Sequence, residues 1–130
     1  VPMPETVEFG DIVPQGFPFY SGRFTYLCPA DGVRAVRLDR LPCACARVDG
    51  NGRTAMLAWQ PYEADVSGMT ENGLLRLTAV GSRRNTFGPL HVLPVVEPFV
   101  GPESFESSGA HFTEDYSLIP FGLDGPVFLK

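Results

Sequence analysis

The chain carries two histidines, three cysteines and one tryptophan in 130 residues. His91 and His111 are the only candidate imidazole bases, and neither lies near a serine in a strained turn of the G-x-S-x-G kind. A nucleophilic triad is therefore excluded from the reading. Three cysteines are an odd number, which argues against a disulfide framework. Cys43 and Cys45, two apart, would share one face of a strand and are too close in sequence to bridge comfortably. With only Cys28 and two distant histidines to add, a zinc site lacks ligands. The thiols read as small buried apolar side chains in a reducing, cytoplasmic setting.

Positive charge is also scarce. Ten Lys and Arg stand against fifteen Asp and Glu, for a net charge of −5. No basic run exceeds Arg83-Arg84, so neither nucleic acid nor an anionic membrane is an expected partner. No apolar run approaches the ~20 residues that span a bilayer. No signal peptide, internal repeat, low-complexity tract or long helical pattern is visible. The chain opens Val1-Pro2 without an initiator Met, so we expect a processed chain or a piece of a longer protein.

What is present is a globular composition, with 44% hydrophobic and 19% charged residues. The length fits one domain able to remove roughly two-thirds of its unfolded surface from water. Fourteen Gly and thirteen Pro break helices and favour short strands joined by turns. Residues 1–16 read as an extended N-terminal arm or linker, with a strand-like piece at 7–13 interrupted by Gly10. A single domain then follows over 17–130.

Phe24, Tyr26 and Cys28 alternate with polar neighbours, as on a half-buried strand. Residues 33–41 are ambiguous between helix and strand. Flanking Gly32 and Pro42 leave them short, so strand is the choice. Residues 43–48 and 53–59 flank Asp49-Gly50-Asn51-Gly52, which predicts a hairpin. A bend at Pro61-Tyr62, a short extended piece at 63–66 and a single helical turn between Gly68 and Gly73 come next. Residues 74–80 give the cleanest strand, with Leu75, Leu77 and Ala79 on one face. Residues 81–89 read as loop, 90–99 as an edge strand holding Pro94 and Pro98, and 102–105 as a short helix opened by proline. An apolar closing strand is expected after Tyr116. The sum is an all-β chain, a two-sheet antiparallel β-sandwich.

The run from Val48 to Val80 resembles the sugar-binding sandwich of β-galactosidase and β-glucuronidase-type glycoside hydrolases. The likeness rests on Val48-Asp49-Gly50, Pro61-Tyr62, Asp65-Val66-Ser67 and the strand from Gly73 to Leu77. Leu74-Leu75 stands where that family usually has Asn before an apolar pair. Arg84 to His91 (RNTFGPLH), Val100 to Phe105 (VGPESF) and Asp115 to Leu123 (DYSLIPFGL) are similar to the C-terminal region of rhamnosidase-like bacterial glycosidases. The resemblance implies a galactose-binding-like jelly roll, a non-catalytic accessory domain carried beside a catalytic barrel. Its partner would be carbohydrate or the parent catalytic domain. Fold alone does not choose between them.

Glycosidase carboxylates work in pairs, about 5 Å apart in retaining enzymes and roughly 6.5–9.5 Å in inverting ones. Glu63 and Asp65 would lie ~6.5–7 Å apart on one strand face, but Asp65 reads better as an acceptor for the turn that follows. Glu114 and Asp115 point apart if extended. No catalytic residue is assigned.

Sugar contact asks for a flat aromatic and planar hydrogen-bonding groups. Trp59, Tyr62 and Tyr20 are the aromatic candidates. Arg84, Asn85 and His91, with Arg83 beside them, are the polar ones. Against this, core packing is the favoured reading of Trp59 and loop stapling that of Arg84 and Asn85, while His91 fits a buried imidazole equally well. A sugar-binding module predicts a shallow groove with Trp59 or Tyr62 exposed beside Arg84 and Asn85. A purely structural domain predicts an exposed apolar patch around Phe17, Phe19, Phe99 and Phe121. No cofactor is assigned. Calcium held by loop carbonyls would leave no trace in a sequence.

Overall fold

A computed structural model describes residues 4–93 and 101–130. Its strands are β1 (Gly10–Asp11), β2 (Arg23–Pro29), β3 (Ala35–Arg37), β4 (Cys45–Gly50), β5 (Arg53–Leu57), β6 (Glu63–Asp65), β7 (Leu74–Val80), β8 (Gly122–Leu123) and β9 (Val127–Leu129). Among the described residues, one four-residue helix, α1 (Arg84–Phe87), and one 3-10 turn at Pro102–Ser104 join them. Every strand pair is antiparallel. One sheet runs β2-β7-β4-β5, a second runs β6-β3-β9, and β1 pairs with β8. The chain is an all-β antiparallel sandwich.

Alternation builds the core. Along β2, Tyr26 and Cys28 point inward. Across the register from them sit Leu77 and Leu75 of β7; Val48 of β4 lies beyond Leu77, and Ala46 of β4 lies between Ala79 of β7 and Leu57 of β5. The second sheet answers with one inward row, Ala64, Val36 and Phe128. Loop residues Ile12, Leu38, Val66, Met69 and Phe121, with Leu123 of β8, complete the packing. Each fully buried Leu, Ile or Val contributes about 1.5–3 kcal/mol by leaving water.

The hairpin forms where the residues demand it. Asn51 and Gly52 both take positive φ, +47° and +71°, the left-handed pair that a two-residue turn between twisted strands requires. Gly50 has a different reason. A side-chain carbon there would run into the Met69 carbonyl and press on Leu75. That close approach locks the 66–69 turn onto the end of β4.

Residues 4–16 are not free of the sandwich. Ile12 is fully buried, and its N–H donates to the Phe121 carbonyl at 2.8 Å. Asp11 Oδ1 accepts the N–H groups of Val13 (3.0 Å) and Phe121 (3.1 Å), tying the first strand to the eighth.

Several local expectations need correction. Residues 81–89 contain α1 where only loop is expected. The span between Gly68 and Gly73 forms turns and a single Glu71–Leu74 bridge, not a helical turn. The C-terminal strand is two short ones, β8 and β9, on different sheets. Most of the edge strand at 90–99, and Phe99 itself, lie outside the described residues. Among the described residues no helix is long and apolar enough to cross a membrane.

Candidate functional site

The antiparallel register gathers the starts of β2 and β4 and the ends of β5 and β7 at one end of the four-stranded sheet: Arg23 faces Val80, Val80 faces Cys45, and Ala46 faces Leu57. The loops leaving that end carry Tyr20, Trp59, Tyr62, Arg84 and Asn85. An open cavity of about 270 Å³ lies at this end, walled by Tyr20, Pro42, Cys43, Ser82, Asn85 and Phe121. The structure thus brings Tyr20 and Asn85 together and leaves Trp59, Tyr62, Arg84 and His91 out of the cavity wall.

The polar groups of this cavity are committed to the fold. Asn85 is 3% exposed. Its Nδ2 donates to the Ile119 carbonyl at 2.7 Å, and its Oδ1 accepts the Ile119 N–H at 2.8 Å. The Tyr20 hydroxyl donates to the Arg23 carbonyl at 2.7 Å, with the ring laid over Gly22. Ser82 Oγ accepts the Arg84 N–H at 3.3 Å. Cys43 donates to the Cys45 carbonyl at 3.3 Å, and burial, aided by nearby Cys45, pushes its thiol pKa up to about 11. Such a cavity offers shape and apolar surface rather than free hydrogen-bonding groups.

Arg84 opens α1 and folds its side chain onto Gly88, where an added side chain would meet it. One guanidinium nitrogen, Nη1, is buried with no hydrogen-bond partner among the described residues. Loss of solvent lowers the guanidinium pKa accordingly. Arg84 touches the cavity wall through its backbone N–H, which donates to Ser82 Oγ, and its side chain is not part of the lining.

Trp59 corrects the core-packing reading. It is 78% exposed. Inward alternation on β5 ends at Leu57, and the chain bends at 59–61 before Pro61. A proline cannot donate to a ladder and restricts the residue before it, so the strand stops before Trp59 can turn inward. Tyr62 is the reverse case: its ring packs against the core, and its carbonyl accepts the Leu38 N–H at 2.8 Å.

The patch expected around four phenylalanines is also different. Phe121 is buried and Phe17 packs against the core, whereas Phe19 is exposed. Phe19 meets Tyr116 edge-on, with ring centroids 5.1 Å apart. His91 lies against the same tyrosine at 5.0 Å, and its Nδ1 is 3.1 Å from the Thr113 carbonyl. Tyr116 carries no sequence signal for this exposed ring cluster, because it sits between Asp115 and Ser117 with no apolar period to mark it.

The carboxylates do not converge on a cleft. Glu63 and Asp65 share the exposed face of β6. Asp65 Oδ1 accepts the Ser67 N–H at 2.8 Å, and the bonds from Ser67 hold its carboxyl below the usual range. On the outer face of the four-stranded sheet, Asp49 accepts from Arg47 Nε and Thr54 Oγ1, both at 2.7 Å. The Arg47 bond runs along β4, whereas the Thr54 bond crosses to β5, and a cross-strand pair of that kind stabilises a solvent-facing sheet.

Compared with family models, curated proteins and solved structures, the chain matches none.

Proposed function

We propose that this chain is a non-catalytic accessory domain of a larger glycoside hydrolase, a galactose-binding-like jelly roll whose loop rim binds carbohydrate. The observation that carries the reading is Trp59, a flat indole held 78% exposed at the rim. An indole in water costs hydrophobic free energy that nothing in the fold recovers. The apolar face of a pyranose ring would cover it. The sequence likeness over residues 48–80, 84–91 and 115–123 supports the parent context. The exposed placement of Glu63 and Asp65 on a three-residue strand supports an accessory role over a catalytic one.

A second reading has its own observation. Phe87 is 69% exposed on α1, and Phe105 follows the 3-10 turn with its ring also exposed. Rings spread in this way suit a domain that packs on its catalytic partner and binds no free sugar.

Titration with mono- and oligosaccharides, followed by Trp59 fluorescence and calorimetry, separates the two. Saturable binding that perturbs the indole supports the first. No heat and no fluorescence change at millimolar sugar, together with self-association, supports the second.

A further inference from the structure

Tyr116 and Phe19 are 60% and 43% exposed, yet their surroundings are tightly tied. Segments 90–93 and 111–117 are laddered by backbone bonds: Leu93 N–H to His111 O (2.8 Å), Thr113 N–H to His91 O (3.0 Å) and Ser117 N–H to Leu90 O (2.7 Å). Val92 and Phe112 form a β-bridge between them. The Phe19 carbonyl accepts the Thr86 hydroxyl at 2.8 Å, which fixes the third segment to α1. Three loops therefore present three rings, Phe19, Tyr116 and His91, in a preorganised corner. Ordering exposed rings in advance lowers the entropy a ligand must overcome.

The chemistry of the corner is specific. A carbonyl can only accept, so the Thr113 oxygen fixes the proton of a neutral His91 on Nδ1. That tautomer leaves Nε2 as the acceptor of a ring packed against Tyr116. An aromatic face next to a fixed acceptor matches a ligand that has an apolar face and a hydroxyl donor at its edge. It does not match a bare hydrocarbon, which would leave the acceptor unpaired.

We infer that the Phe19–Tyr116–His91 corner is a sugar subsite, with a neutral pyranose stacked on Tyr116 and one of its hydroxyls donating to His91 Nε2. This rests on the carbohydrate-binding reading above, but places a contact surface apart from Trp59. The cavity beside Asn85 takes no part in it.

The test uses the full chain with methyl β-galactoside, methyl α-rhamnoside and cellotetraose. Ring resonances of Tyr116 and His91 are followed by NMR, and the imidazole nitrogen shifts report the tautomer. The Nδ1–H form is expected, with both rings shifting on titration. Tyr116→Ala should weaken binding about tenfold, and His91→Phe about fivefold while keeping a ring in place. Trp59→Ala serves as the comparison. Binding that moves only the indole and is lost only with Trp59→Ala overturns the corner and keeps the carbohydrate reading. No shift anywhere with any of the three sugars overturns both. Because the resonances are read on the unaltered chain, a variant that fails to fold leaves the result decidable.

Discussion

Both ends of the Asn85 side-chain amide are bonded to the backbone of one residue, Ile119, at 2.7 and 2.8 Å. The pair copies the two-bond exchange of an antiparallel ladder with a side chain in place of a strand. It joins α1 to the segment that leads into β8, and so holds two walls of the cavity at a fixed separation.

Asn85→Ala should therefore cost more than its size suggests. It strands a buried N–H and a carbonyl, for about 2–4 kcal/mol in total. Asn85→Asp keeps the volume but sets a carboxylate against the Ile119 carbonyl, and should be no better. Urea denaturation measures the loss, and faster amide exchange at Ile119 localises it. A change below about 0.5 kcal/mol would mean that water replaces the amide freely.

Gly50→Ala tests the close approach at the end of β4. The new methyl meets the Met69 carbonyl and Leu75, so strand and turn must separate. Overpacking of this sort costs about 1–3 kcal/mol. The same substitution at Gly52 would strain backbone conformation instead, since Gly52 has φ +71° and open space around it. Thermal melts of the two variants, with NMR shifts at Met69 and Leu75, distinguish contact from strain. Shifts at those two residues are expected only for Gly50→Ala.

Trp59→Ala should leave stability within about 0.5 kcal/mol of the parent, as for an exposed side chain without partners. Burial in a core would give about 3–5 kcal/mol instead. The indole should show water-like, red-shifted emission and ready quenching by acrylamide.

These residues also mark what a sequence can carry. The hairpin at Asn51-Gly52 and the face Leu75, Leu77, Ala79 were legible because the cause is local: a turn that needs positive φ, and a period of two. Trp59 was not, because its fate depends on where β5 stops relative to Pro61. Read as a continuing strand, it alternates inward. Read as ending at Leu57, it faces water. Helix α1 was invisible for another reason. Its N-cap residue, Arg83, makes no side-chain cap bond, and its anchor is the bond from Asn85 to a residue 34 positions away. Asn85 and Arg84 were both marked as polar candidates. Only packing tells that one amide is sealed on Ile119 while one guanidinium nitrogen has no partner among the described residues.

Alkaline pH should unfold the domain through two inward groups of β2. Burial pushes the Cys28 thiol pKa from its ordinary 9.0 up to about 11. Burial first, and then Cys28 itself, pushes Tyr26 from 10.0 up to about 12. Below about pH 9 both groups are protonated whether the chain is folded or not, so they confer no pH dependence there. Between 9.0 and about 11 the unfolded chain releases the Cys28 proton that the folded chain retains, and stability falls. Tyr26 continues the fall from 10.0 to about 12. Urea midpoints should thus be level near neutral pH and decline through this window. Cys28→Ala lowers stability at every pH through its cavity, so the informative quantity is slope, which should become shallower between about pH 9 and 11. Ellman's reagent gives a second readout, with Cys28 labelled slowly in the folded chain at about pH 8 and rapidly in urea. A level stability profile up to about pH 11, with fast native labelling, would place the thiol in contact with solvent and contradict the packing of β2 against β7.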